Sequence, residues 1–158
     1  MTHRWAHEQF TFITNRNWFK QEDKSQDGRL HLYCPETGSS LVLSMDAMDI
    51  PDDRMESVAR FVLEARKRAH VEGIQELNGN KEVPVLEYDG ERVAKHPTAN
   101  AWEIGYEGTQ PGRSFFGFMG FVTNAKVVSL FVITPFSYGD GCRNMFREVV
   151  GGFSVTIP

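Results

Sequence analysis

Cysteine is scarce. Cys34 and Cys142 are the two in 158 residues, too few for the disulfide framework of a small secreted domain. Counting alone leaves a single Cys34–Cys142 bridge open. No run of about 18 apolar residues occurs, which excludes a helix that crosses a bilayer. The opening stretch, Met1-Thr2-His3-Arg4-Trp5-Ala6-His7-Glu8, lacks the apolar segment of a secretory signal. These absences predict a cytoplasmic chain with reduced thiols and no direct membrane insertion. Positive charge is not in excess either. Seventeen Lys and Arg stand against twenty-one Asp and Glu, a net charge of −4, so nothing draws the whole molecule to nucleic acid or to an anionic membrane. Arg60, Arg66, Lys67 and Arg68 form a local basic group, which reads most simply as a solvated helix face. Internal repeats, low-complexity tracts and linkers are missing too, so residues 1–158 are expected to form one domain.

Aromatic area is plentiful: twelve residues are Phe. It concentrates in Ser114 to Thr134, where two strand-like runs flank a short polar turn at Asn124-Ala125. The first is Phe115-Phe116-Gly117-Phe118-Met119-Gly120-Phe121-Val122 and the second Val127-Val128-Ser129-Leu130-Phe131-Val132-Ile133. Neither alternates between apolar and polar, so both faces of this hairpin call for burial, by a helix layer, a second subunit or a bound partner. Gly117 and Gly120 leave gaps between the aromatics and mark bulges or close backbone approaches. No Lys-Ser follows them, which removes a phosphate loop.

The remaining chain reads as an α+β order. Strands are expected over Gln9–Thr14, Leu30–Cys34 and Leu41–Met45. A helix follows an acidic loop, Asp46 to Asp53, with Asp53 as N-cap and Glu56 three residues on as in a capping box. Met55, Val58, Ala59, Phe61, Val62, Leu63, Ala65 and Ala69 give that helix a broad apolar stripe, and it should stop near His70, before Gly73. Strands over Ile74–Leu77, Val83–Tyr88, Ala99–Tyr106, Phe115–Thr123 and Val127–Thr134 come next. A second helix begins near Asp140 or Gly141, carries Met145, Phe146, Val149 and Val150, and stops at Gly151-Gly152. Phe153, Val155 and Ile157 close the chain as a strand. Short loops favour antiparallel pairing, so the expected fold is an antiparallel sheet flanked by two main helices.

Groups with chemistry are few. His3 and His7 lie four apart, yet two histidines do not close a metal site and the terminus reads as frayed; no metal or cofactor is expected. Cys142 near a helix start would have a lowered thiol pKa, but a nucleophile also needs a neighbouring base. Asp46, Asp49, Asp52 and Asp53 lack the ligand order and trailing Glu of a calcium loop. They read as helix capping and solvation, or as an acidic rim for a basic partner.

Three stretches carry a family resemblance. Phe10-Thr11-Phe12 followed by Trp18 is one. Leu41-Val42-Leu43-Ser44-Met45-Asp46, the Asp49 to Asp53 loop and the helix from Met55 to His70 are the second. Val127 to Thr134, Pro135 and the helix from Cys142 to Val150 are the third. Together they resemble the PsbP-like fold, shared by the extrinsic photosystem protein PsbP and the DcrB-like bacterial proteins. One DcrB-like branch, the Eag chaperones of type VI secretion, binds apolar transmembrane segments of effectors before export, and the fold also resembles scaffolds of toxin immunity proteins. The resemblance implies a PsbP-like α/β/α sandwich that binds a protein, a secreted effector or a toxin, and carries no catalytic residue.

The expected contact face is Phe116, Phe118, Phe121 and Trp102, rimmed by Asp46, Asp49, Asp52 and Asp53. Two other readings stand beside the binding module. One is a small enzyme using Cys142 or His96, which requires a pocket that brings either beside a carboxylate or a second histidine. The other is a homodimer in which self-association covers the aromatic strand.

Overall fold

The computed structural model describes residues 2–6, 10–26, 28–138 and 144–155. In chain order its elements are β1 (His3–Ala6), β2 (Phe10–Thr14), β3 (Phe19–Lys20), β4 (Arg29–Cys34), β5 (Ser39–Ala47), α1 (Met55–Asn78), β6 (Glu87–Lys95), β7 (Ala101–Gln110), β8 (Ser114–Thr123), β9 (Lys126–Pro135), α2 (Met145–Gly152) and β10 (Phe153–Val155). Seven strands form one antiparallel sheet in the order β3-β4-β5-β9-β8-β7-β6, and β1-β2-β10 form a second, smaller one. The α+β class and the sheet between two helices stand as expected.

Register decides what each face buries. Phe116, Phe118 and Val122 of β8 pair with Ile133, Phe131 and Val127 of β9, so these side chains share one face. Helix α1 lies on that face over β6, β7 and β8. Its Met55, Ala59 and Leu63 pack with Ile104, Tyr106, Phe116, Phe118 and Val122. On the opposite face, Leu41 and Leu43 of β5 pair with Val132 and Leu130 of β9. There Phe10, Phe12, Trp18, Met145, Val149 and Phe153 cover them together with Leu32 and Cys34. Cys34 is a buried free thiol, while Cys142 lies outside the described residues. Most of the central hairpin is therefore sheltered on both sides by the chain's own elements, which is why neither of its strands alternates; Met119, Phe121, Ser129 and Ile133 are only half-buried.

Several boundaries differ from expectation, each for a local reason. The first residues form β1, paired along β2 through Trp5↔Phe12, so His3 sits in a strand; His7 lies outside the described residues. Helix α1 runs through Gly73 and takes in Ile74–Leu77, which had read as a strand. A Cβ on Gly73 would meet nothing within 4 Å, so this half-buried glycine costs propensity only, about 1 kcal/mol. The stop is Gly79 at φ +65°, with its N–H and that of Asn80 donating back to the carbonyls of Glu76 and Gln75. At the other end a 3-10 turn, Asp52–Arg54, precedes α1 and no side chain caps it. The expected capping box is replaced by Asp52, which accepts from Asn100 Nδ2 at 3.0 Å and Asn124 Nδ2 at 2.8 Å. Strand β6 starts at Glu87 and continues through Asp89-Gly90 by a bulge rather than turning there. Strand β7 extends to Gln110. Helix α2 includes both Gly151 and Gly152, and its expected start at Asp140 or Gly141 lies outside the described residues, as does Ile157.

Gly117 explains how closely α2 sits. A Cβ there would run into the Phe146 ring of α2, so the glycine is the seat of that helix. Gly117→Ala should lower stability by about 1–3 kcal/mol through overpacking. Chemical denaturation of Gly117→Ala, Phe146→Ala and the double variant measures this, and the double should lose less than the sum of the singles. Strict additivity would show that the two residues do not press on one another.

His70 sits beneath α1, 4% exposed, edge-on to Phe116 at 4.6 Å and to Phe131 at 5.1 Å between ring centres. Its Nδ1 has no hydrogen-bond partner. Burial, reinforced by the positive charge of Arg66, lowers its pKa to about 4. The unfolded chain, with an ordinary His near 6.5, therefore binds more protons than the folded one between the two values. Stability contributed by neutral His70 is complete above about pH 6.5 and is lost as pH falls toward 4, by up to about 3 kcal/mol. Urea midpoints at pH 7 and pH 4.5 should diverge in the native chain, and His70→Leu should remove that share of the difference. An unchanged difference in the variant would refute the assignment.

Candidate functional site

Helix α1 covers half of its face. Beyond it, the same face of β4, β5 and β9 lies open as a groove of ≈620 Å³. The strands supply cross-strand rows. Arg29, Ser44 and Ser129 form one, His31, Val42 and Phe131 the next, and Ser40 pairs with Ile133 in a third. The wall is a second stripe of α1: Phe61, Val62, Ala65, Arg66 and Ala69. Phe61 is 65% exposed, an unusual position for a phenylalanine with no cover. Met48 lines the same groove and is exposed too. The floor therefore sets one hydroxyl row, Ser44 and Ser129, beside a row of Val42 and Phe131 and a mixed row of Ser40 and Ile133, bounded by a largely apolar helix wall.

The groove is cationic near its middle, where Arg29 and Arg66 line it. Arg66 is half-buried and lays its guanidinium 4.3 Å from the centre of the Phe131 ring. Burial lowers its pKa, and the charge of Arg29 acts in the same direction. His31 is also lowered, by burial first and then by Lys24 and Arg29. Arg66 Nε and the Tyr106 hydroxyl, both buried, lack hydrogen-bond partners. Desolvation raises the Tyr106 pKa and the neighbouring Arg66 charge offsets part of that rise. The only carboxylate among the described groove residues is Asp46, on β5 two residues beyond Ser44.

The expected contact residues converge only in part: Asp46 and Phe118 both line the groove, Phe118 at its base. Phe116 and Phe118 are 3% and 1% exposed; they are core residues beneath α1, which corrects an outward contact face built on them. Phe121 is half-buried on the opposite face, paired with Glu103. Trp102 is half-buried on the α1 side and packs against the core there. Asp46 is exposed in the groove. Asp49, Asp52 and Asp53 are exposed in and after the loop that leads to α1, and Asp52 is held below the usual carboxylate range by its hydrogen bonds from Asn124 and Asn100. Sequence reasoning missed Val42, Ser44, Phe61, Arg66, Ser129 and Ile133 as a group. The available signal was the stripe on α1, wider than one sheet contact needs.

A second, smaller hollow lies on the other face between Arg92, Glu103, Met119, Phe121, Phe146 and Val150. His96 Nε2 stands 3.9 Å from Glu103 Oε1 near it. Its Nδ1 accepts from the backbone N–H groups of Thr98 at 3.1 Å and Ala99 at 2.9 Å. Those donors place the neutral ring's proton on Nε2, and Arg92 Nη2 already pairs with Glu103 Oε2 at 2.7 Å. His96 thus serves its turn and leaves no free basic nitrogen toward the hollow. No cluster of three potential metal ligands occurs among the described residues.

No family model matches the chain, and no curated protein matches it by sequence. Among solved structures it is similar to the solution structure of cyanobacterial PsbP (CyanoP) from Synechocystis sp. PCC 6803, with a TM-score of 0.62 and 12% identity, over 98% of this chain and 92% of that one. At that identity the likeness is one of architecture: the chain has a PsbP-like α+β fold.

Proposed function

We propose that the chain is a non-catalytic binding module that holds an apolar helical segment of another protein in the groove between α1 and strands β4, β5 and β9. The observation that carries this is the open half-face itself, floored by half-buried Val42 and Ile133, with Phe131 beneath Arg66, and walled by the exposed Phe61. An amphipathic or wholly apolar helix laid along such a groove buries surface that neither partner shelters alone. Within this class, the resemblance to DcrB-like Eag chaperones favours an effector chaperone of type VI secretion acting in the cytoplasm. An immunity protein that neutralises a toxin is the alternative. The two readings part on the bound species: a chaperone holds an isolated apolar helix, whereas an immunity protein holds a folded toxin domain and quenches its activity. The enzyme reading loses its His96 form, because His96 is committed to its turn and Glu103 to Arg92; Cys142, its other candidate, lies outside the described residues.

Phe61→Ser tests the groove. The residue is exposed, so thermal stability should stay within about 0.5 kcal/mol of the native chain. Affinity for a fluorescein-labelled Leu/Ala helix of about 16 residues, about 24 Å long, should fall about tenfold or more. A native chain that does not bind the helix at all, or a variant that binds it equally well, would overturn the reading.

A further inference from the structure

We propose that the helix taken by this groove carries an acidic side chain within its apolar stretch, and that its carboxylate seats between Arg66 and Arg29. This rests on the binding reading above and adds the chemistry of what is bound.

The case begins with Arg66. It leaves α1 in the middle of the groove wall and turns its guanidinium over Phe131, away from bulk water. Lys67, the next residue and also half-buried, pairs with Glu64 and Glu91. Arg66 has no such partner: among the described residues no carboxylate lies within ion-pair reach of it or of Arg29. A desolvated cation without a counter-ion is costly, and buried charges are ordinarily paired. Burial and Arg29 together make Arg66 a poorer holder of its proton, so the two like charges sense one another across the trough. Arg66 Nε is buried without a well-formed hydrogen bond; the polar group beside it is the Tyr106 hydroxyl, a neutral group that leaves the charge uncompensated.

Between the arginines the floor is polar. Ser44 pairs across the strands with Ser129 in the row that begins at Arg29, while the adjacent row is Val42 and Phe131. A carboxylate over the serine row, with its helix lying along the apolar rows, gives both arginines a counter-charge and Arg66 Nε an acceptor. Asp46 lines the groove one step past that row and pairs with neither arginine. The groove is open to solvent along its length, which suits a helix that brings its own outer face. A fatty-acid tail would need enclosure on all sides.

Three synthetic helices test this by fluorescence polarisation: the Leu/Ala helix with one central Glu, its Gln counterpart and its Lys counterpart. The Glu helix should bind about tenfold more tightly than the Gln helix, a difference of about 1.4 kcal/mol, and the Lys helix most weakly. Arg66→Met should erase the preference for Glu over Gln, so that the two helices bind that variant alike. Arg29→Gln, at an exposed position, should reduce the preference in part. Equal binding of the Glu and Gln helices to the native chain would overturn this inference and leave the binding module standing. Failure of all three helices to bind would overturn both. Displacement of the tracer by decanoate, with the Glu and Gln helices binding alike, would also overturn it in favour of a small amphiphile.

Discussion

The width of the sheet governs everything else in this molecule. Seven strands at about 4.8 Å spacing reach about 29 Å from edge to edge, and one α-helix with its side chains shields about 10 Å. A single helix per face therefore cannot close either face. The chain answers with an offset arrangement. Helix α1 covers β6, β7 and β8 on one side. The β1-β2-β10 sheet and α2 cover β4, β5 and β9 on the other. The centre of the sheet, β8 and β9, receives the most cover and carries the longest apolar runs, although the α1-side face of β9 also floors the groove. Each outer flank is left bare on one face, and the candidate groove is the larger of the two bare flanks.

Where α1 lies across that width depends on its anchoring. The Asp52 carboxylate ties the approach to the helix to Asn100 and Asn124, in the turns before β7 and after β8. Asn124 Nδ2 also donates to the carbonyl of Ile50 at 2.8 Å. These bonds pull the start of α1 toward β7 and β8 and away from β4 and β5. From there the helix shows two stripes. Met55, Ala59, Leu63 and His70 turn into the sheet; Phe61, Ala65 and Ala69 look over the bare flank. Arg66 falls between the stripes, which explains both its half-burial and its lack of an acidic neighbour.

Much of the fold was legible because its signals are local. Period-two patterning marked β2, β4 and β5, and the unbroken apolar runs at β8 and β9 announced a strand pair buried on both faces. What escaped was set by distant contacts. Residues 3–6 carry no strand signal of their own and become β1 because β2 offers a partner edge. Ile74–Leu77 has a strand-like look, but a helix already propagating through Gly73 extends for less than a new strand would cost to nucleate. The site was less legible for a related reason. Apolarity reads as demand for cover, yet the strongest demand, at Phe116 and Phe118, is met within the chain. The unmet demand is spread thinly over Val42, Ile133 and Phe61, each unremarkable alone, and it takes the sheet register to align them.

The composition of the bare flank also bears on what kind of association it suits. A permanent subunit interface resembles a core cut in half, strongly apolar at its centre. Here Ser44 and Ser129 form a row beside Val42 and Phe131, Ser40 stands opposite Ile133, and Arg29 and His31 stand on β4. Hydroxyls and cations on the floor keep the empty groove wettable, so it can stand open without driving self-association. An apolar helix still gains by covering the hydrophobic rows, but it must leave the serine row satisfied as it does so. That requirement favours an occupant with a polar group at one fixed point along its length, and it makes release easier than from a uniformly greasy seat.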